Sequence, residues 1–528
     1  MIRFGTGPVQ APATGDGMQR NRSSDVMRRL GLGLASAGLA ALATAAAAQP
    51  VARVEGGSLQ GVETSGVVRY AGIPYAKPPV GALRWRPPQA PAPWSGVRPA
   101  DQYGAVCMQK LDPTDNGVGP GPVSEDCLTL NVFAPTGAKA LPVMVWIHGG
   151  GLVNGSASAK LYDGSALARQ GVVVVTLNYR LGRFGFFAHP ALTAETKGAG
   201  EPLANYGLMD QIAALQWVRR NISAFGGDPS TVTVFGESAG GASVNRLMMA
   251  KSARGLFQRA ISESGLGAEH GQTLAEAEAD GSSFATQLGV GSGGAEALRA
   301  LPAQAIVDAG PISMAKGEAP IVDGQLLTED PMAAFQAGHE APIPYLVGSN
   351  GLEVPKAWAP GFKDAVKLSP AQVAAVQGAY GSQTVYDTRI LTDVVFGAPA
   401  RALAKAHAAH GAATYLYRFA IASPAALKTY GGAIHASDRQ YVFQTLNASP
   451  WPTDANDAEQ ASLVSAYWVA FARAGDPNGG ARSDGRPAWP AYGASDQLMR
   501  FTNAGPQAEI TADAPALDLI SAAQADHR

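Results

Sequence analysis

The chain has 528 residues, room for several domains at roughly 100 to 200 residues each, or for one large sheet-based domain with long insertions. Its 40 Lys and Arg against 42 Asp and Glu leave a net charge of −2, which excludes a surface built for a polyanion such as nucleic acid. With 16% charged and 46% hydrophobic residues the chain is not intrinsically disordered, and two cysteines exclude a Cys-rich metal site or a disulfide-built mini-protein.

The first expected element is an export signal. Arg28 and Arg29 precede an apolar run from Leu30 to Ala48 of mostly Leu, Ala and Gly, closing on Ala46-Ala47-Ala48 before Gln49. That order of basic, apolar and small residues reads as a secretory signal peptide over 1–48, with Met18 or Met27 as alternative starts. A membrane anchor is the competing reading, and the shortness of the run and its Ala/Gly content argue against it. The mature chain is then expected to be periplasmic or secreted. Cys107 and Cys127 enclose a Gly-, Pro- and Asp-rich loop, and an oxidising compartment would let them pair; two buried free thiols are the alternative.

Leu141 to Ile147 and Gly171 to Asn178 are short apolar runs rich in β-branched residues, the pattern of strands buried on both faces of a parallel sheet. Directly after the first stands His148-Gly149-Gly150-Gly151. Consecutive glycines let backbone N–H groups turn inward together, which is how an oxyanion hole forms without side chains. Gly150 and Gly151 are the expected donors, with Ala239 from the nucleophile turn described next, and His148 is expected to be structural. From Asn205 to Phe225, Leu208, Ile212, Leu215, Val218, Ile222 and Phe225 recur at steps of three and four, an amphipathic helix ended by Gly226-Gly227-Asp228-Pro229.

Thr231 to Phe235 reads as a strand, Gly236-Glu237-Ser238-Ala239-Gly240 as a tight turn, and the residues from Ala239 to Ala250 as a helix. G-x-S-x-G alone is a weak signal; between a strand and a helix it is the signature of a nucleophile held on a sharp turn. A serine needs a base and an orienting acid, which in this arrangement follow in the order Ser, acid, His. The histidines after Ser238 are His270, His339, His407, His410, His435 and His527. His407 and His410 lie in an Ala-rich helical stretch and His527 at the terminus, whereas His435 follows the loop Gly431-Gly432-Ala433-Ile434. A strand from Pro344 to Val347 precedes Gly348-Ser349-Asn350-Gly351-Leu352-Glu353, which makes Glu353 the expected acid over its rivals Asp323 and Asp438. Glu237 either tunes the field at His435 or packs. Further strands are expected at Arg259 to Ser262, Thr414 to Phe419 and Leu498 to Phe501, so strands and helices alternate as in a mostly parallel α/β sheet.

These motifs, with Tyr70-Ala71-Gly72-Ile73-Pro74-Tyr75-Ala76, Glu125-Asp126-Cys127-Leu128, Asn178-Tyr179-Arg180-Leu181-Gly182 and Gly475-Asp476-Pro477-Asn478, resemble the type-B carboxylesterases. That α/β-hydrolase family includes bacterial para-nitrobenzyl-type esterases and the cholinesterases. The resemblance implies one domain over 49–528: a central, mostly parallel β-sheet flanked by helices, with large insertions forming the substrate pocket. It implies Ser238, Glu353 and His435 as triad, Gly150, Gly151 and Ala239 as oxyanion donors, and a Cys107–Cys127 disulfide. It also implies a small-molecule ester as substrate, with no metal or organic cofactor. Amides, carbamates or polyesters could be cleaved by the same triad, and a binding-only member of the fold would have lost the nucleophile. Three positions depart from the family pattern: Leu352 and Val354 flank the acid where Asp-Glu-Gly is usual, Leu152 follows the glycines where an aromatic is common, and the loop between the cysteines has no tryptophan.

Overall fold

The computed structural model describes residues 49–526 apart from 113, 197–202, 292, 310–318, 363–364 and 480–484. The expected export signal over 1–48 and His527 lie outside the described residues. The main sheet has eleven strands among the described residues: β1 (Val62–Thr64), β2 (Val67–Pro74), β3 (Thr129–Pro135), β4 (Leu141–Ile147), β5 (Val173–Leu177), β6 (Gly227–Glu237), β7 (Arg259–Glu263), β8 (Tyr345–Asn350), β9 (Thr414–Phe419), β10 (Gln497–Thr502) and β11 (Gly505–Ile510). Their spatial order is β11-β10-β9-β8-β7-β6-β4-β5-β3-β2-β1. From β5 across to β10 every pairing is parallel. At both edges the pairings turn antiparallel, through β3, β2 and β1 on one side and β11 on the other. The sheet is therefore mixed at its rims and parallel where it carries the site.

Side chains of a strand point alternately to opposite faces, and both faces here are covered. In β4, Val143, Val145 and Ile147 enter one apolar cluster while Met144 and Trp146 enter the other. In β5, Val173, Val175 and Leu177 face one side and Val174 the other. Burial on both sides is why these segments read as unbroken apolar runs.

Eight of the helices suffice to describe the layers: α1 (Tyr206–Asn221), α2 (Ala239–Met249), α3 (Leu274–Gln287), α4 (Pro370–Tyr380), α5 (Gln383–Thr392), α6 (Ala398–Ala409), α7 (Ala455–Ala474) and α8 (Ala514–Ala525). The expected stripe on α1 is buried, but so are Tyr206, Met209, Asp210, Gln211, Ala214 and Trp217. Most of this helix is covered, with Gln216, Arg219 and Arg220 left exposed, and buried Asp210 takes hydrogen bonds from Arg180 at Nε and a second guanidinium nitrogen, both at 2.7 Å. Gly226 ends the helical stretch with φ 77°, and β6 begins at the next residue with a register irregularity before Val232. The strand expected at Pro344 to Val347 runs on to Asn350, so the acid loop begins three residues later than the sequence suggested. Cys107 and Cys127 are joined as a disulfide, with 20 residues of separation.

Candidate active site

The parallel strands end on one side of the sheet, and the loops leaving β4, β6, β7, β8 and β9 meet there. Close packing dictates the turn after β6. A Cβ at Gly240 would lie 2.0 Å from the Ile147 carbonyl oxygen, and one at Gly236 would lie 2.7 Å from the Gly240 carbonyl carbon. Only glycine fits at either place, and Ser238 between them is forced to φ 58° and ψ −123°. Its N–H donates to the Glu263 carbonyl at 2.8 Å, which ties the turn to the end of β7.

Glu353 and His435 reach Ser238 from two other loops. The Ser238 hydroxyl donates to His435 Nε2 at 2.8 Å, and His435 Nδ1 donates to Glu353 Oε2 at 2.6 Å. The loops that carry the acid and the imidazole are laced by backbone bonds from Leu352 N to Ala433 O at 2.9 Å and from His435 N to Glu353 O at 3.1 Å. Leu352 and Val354, the departures from Asp-Glu-Gly, are both buried, Val354 in an apolar cluster with Phe362 and Phe396, and the lacing is intact. The second carboxylate oxygen of Glu353 accepts from Ser264 Oγ and from Asn350 N, each at 2.6 Å. Glu353 is fully buried, so its charge acts on the imidazole through protein rather than water.

Burial works against a charged His435, but Glu237 and Glu353 outweigh it and lift the imidazole above its usual 6.5. Glu237 Oε1 stands 3.3 Å from Nε2, and Arg439 Nε lies 3.9 Å from Glu237 Oε2. Burial raises the Glu237 carboxyl while His435 and Arg439 pull it back down. Behind the imidazole lies a second pair of buried acids. Burial, then Glu237 and Glu353, push the Asp438 carboxyl up to about 7, and burial with Asp438 raises Glu263 well above the carboxylate range. Asp438 Oδ1 accepts from Asn350 Nδ2 at 3.4 Å.

The glycine turn after β4 lies against Ser238: a Cβ at Gly149 would stand 3.1 Å from that of Ser238. Gly150 and Gly151 hold φ 102° and 62°. Ala239 opens α2, where a backbone N–H has no intrahelical acceptor. His148 is buried, stacks on Tyr179 with ring centres 4.6 Å apart, and is pulled down by burial to about 4, so it is a neutral structural ring. Leu152, at φ 63°, accepts from Gly182 N at 2.7 Å and is likewise buried.

The rival residues are engaged elsewhere. Asp323 accepts the backbone N–H groups of residues 325, 326 and 327 in a turn. His270 and His339 pair with Asp330 and Glu329, and His407 with buried Glu340. His410 bonds the Gln336 carbonyl. Sequence reasoning did not find Ser264, Asn350, Glu263 or Phe396, whose ring centre lies 4.7 Å from that of His435. Ser264 directly follows a strand end beside Glu263, the one signal that could have drawn attention to it.

Comparison with known proteins agrees with this architecture. The model of the carboxylesterase family matches residues 47–379 and 378–517. The para-nitrobenzyl esterase of Bacillus subtilis (strain 168) is 38% identical over 461 residues, covering 83% of this chain and 91% of its own length. The fumonisin B1 esterase of Sphingopyxis macrogoltabida is 34% identical over 482 residues, covering 85% of this chain and 86% of its own. A solved PNB esterase superposes with a TM-score of 0.76 at 33% identity over 89% of this chain and 99% of that one. With a collinear match over nearly all the described residues and an α/β-hydrolase sheet beneath it, the chain belongs to the carboxylesterase family and is a carboxylic-ester hydrolase.

Proposed function

We propose that hydrolysis proceeds by two acyl transfers through Ser238, His435 and Glu353. The observation that carries this reading is the unbroken line of bonds from Glu353 to His435 to Ser238, at 2.6 and 2.8 Å. His435 Nε2 takes the hydroxyl proton as Ser238 Oγ attacks the ester carbonyl, and Glu353 holds the tautomer with the proton on Nδ1 and stabilises the imidazolium. The N–H groups of Gly150, Gly151 and Ala239 receive the oxyanion, each worth about 3 to 4 kcal/mol in the transition state. His435 then protonates the leaving alcohol, and water repeats the cycle on the acyl-enzyme to release the acid. The esterase names of the relatives support small to medium carboxylic esters as substrates.

The test is Ser238→Ala on short-chain nitrophenyl esters. Expected is a loss on the order of 10⁶ in kcat with loss of labelling by a serine-directed phosphonate. Turnover near wild type would overturn the assignment. A panel of esters, amides and carbamates on the same protein defines the acyl and leaving-group range.

The export signal over 1–48, with a single catalytic domain over 49–528, belongs to the same proposal. The Cys107–Cys127 disulfide supports it, since such bonds persist in oxidising compartments. Among the described residues no helix is long and apolar enough to cross a membrane. N-terminal sequencing of protein from the periplasm or medium should begin at or near Gln49; retention of the full chain in the cytoplasm would refute export.

A further inference from the structure

The disulfide-closed loop from 107 to 127 lies against the segment that follows the glycine turn, and its grip there is dense. Gln109 is 4% exposed and spends its whole carboxamide on the contact. Oε1 accepts from Gly155 N at 3.0 Å, while Nε2 donates to Gly155 O at 2.9 Å and to Cys107 O at 3.1 Å. Both backbone groups of Gly155 are thus clamped by one side chain, which is itself tied to the disulfide half-cystine. Asp115 accepts from Asn154 Nδ2, Ser156 N donates to Gly117 O at 3.1 Å, and Gly119 N donates to Ser156 Oγ at 2.7 Å. Three successive residues, Asn154 to Ser156, are held from one loop.

The clamped segment is the rear wall of the turn that presents Gly150 and Gly151. Asn154 N and Val153 N donate to Gly150 O at 3.0 and 3.1 Å. Gly155 stands at φ 112°, and a Cβ there would come within 2.4 Å of His148 Nδ1 and 2.7 Å of Gly149 O. Its backbone is therefore pressed directly on the His148 ring and the Gly149 peptide. His148 in turn donates from Nδ1 to Gly149 O at 2.9 Å, and its own carbonyl accepts from Tyr179 at 2.9 Å. The contacts run without a gap from the disulfide loop through Gln109 and Gly155 to the peptides of the turn. Oxyanion donors stabilise a transition state only when their direction is set beforehand, so the rigidity of that rear wall bears on the rate.

We propose that Gln109 is a positioning residue for ester hydrolysis: from the disulfide-closed loop it clamps Gly155 and so fixes the glycine turn that receives the oxyanion. The inference rests on the reading of Gly150, Gly151 and Ala239 as oxyanion donors. The Gln109 carboxamide bonds Gly155 and Cys107 and not the triad, so its effect falls on the transition state and not on substrate binding.

The experiment uses the mature enzyme with Gln109→Glu and Gln109→Leu. The first keeps size and an acceptor for Gly155 N–H but sets a carboxylate oxygen against Gly155 O; the second removes both bonds. Expected is a fall in kcat of about tenfold or more, bounded by the 10² to 10³ that follows loss of one oxyanion donor, with KM within about twofold. Affinity for a trifluoromethyl ketone, whose adduct with serine carries the oxyanion, falls by the same factor as kcat/KM. The acid limb of the kcat/KM profile stays in place, because the triad is intact. Asp115→Ala, at a partly buried position, tests the same brace if a Gln109 variant does not fold, and should show the same falls in kcat and ketone affinity at smaller size. Wild-type kcat and wild-type ketone affinity in the folded variants would overturn the proposal. Ser238→Ala run alongside separates the two failures: if it turns over, the site assignment is wrong, and if it is dead while the Gln109 variants match wild type, only the brace is wrong.

Discussion

At Ser238 the backbone holds φ 58° and ψ −123°, a conformation that costs a non-glycine residue about 1 to 3 kcal/mol. Ser238→Gly should therefore abolish turnover and at the same time stabilise the fold by roughly 1 kcal/mol, read as a higher urea midpoint at unchanged m. A midpoint at or below wild type would mean that the neighbouring glycines, and not the serine, absorb the strain. Glu237 offers a second single-residue test. Its carboxylate is 3.3 Å from His435 Nε2 and favours the protonated imidazole, whereas His435 must be neutral to take a proton. The acid limb of kcat/KM is thus expected above pH 6.5, since the imidazole is lifted above that value. Glu237→Gln removes a negative charge and should move that limb to lower pH. An unmoved limb would leave Glu237 with a packing role only.

At the scale of elements, legibility followed burial and local strain. β4 was readable to the residue because it is an apolar run stopped by turn residues, β9 because aromatic and β-prone residues cluster in it, and the Ser238 turn because two glycines are sterically required there. The rim strands were not recognised: β1 and β11 carry exposed residues that break an apolar pattern, while β2 and β3 are largely buried but pair with each other across about 60 residues. The helices α3 to α5 in the insertions, and the π-helical turn Asp393–Gly397 that brings Phe396 over His435, carried no usable period either. The loop of residues 107–127 was read as a staple, and its stabilising effect is testable. Closing a loop of about 20 residues contributes roughly 3 kcal/mol on the chain-entropy estimate, so the Cys107→Ala/Cys127→Ala double variant should lose about that much in denaturant titration. A loss below about 1 kcal/mol would show that packing alone holds the loop.

Across the whole molecule, the buried acids near His435 tie stability to pH. Asp438 is held near 7 in the fold against an ordinary 3.8, so between those values the folded chain keeps a proton that the unfolded chain has released. The stabilisation from the neutral carboxyl is complete below about pH 4 and is lost as pH rises towards 7. Asp438→Asn should flatten the decline of thermal stability over that window and raise the melting temperature at pH 8. A variant with the same pH dependence as wild type would place the effect elsewhere, with Glu263 the next candidate.

The sequence by itself determined the strand–turn–helix at Ser238, the glycine turn after His148, the order in which acid and imidazole follow the nucleophile, and the parallel centre of the sheet. Each of these is local: a turn whose sterics demand glycine, or a run of residues whose two faces are both buried. Tertiary structure alone decided the distances at which groups meet there and the further residues that join them. Ser264 and Glu353 are 89 positions apart and His435 and Ser238 are 197 apart, and Gln109 meets Gly155 across 46. Distances of that kind are set by the sheet order and by the lengths of the loops that leave it, which no residue pattern encodes. The raised carboxyls of Asp438 and Glu263 have the same origin, because burial and nearby like charge exist only once the chain has folded.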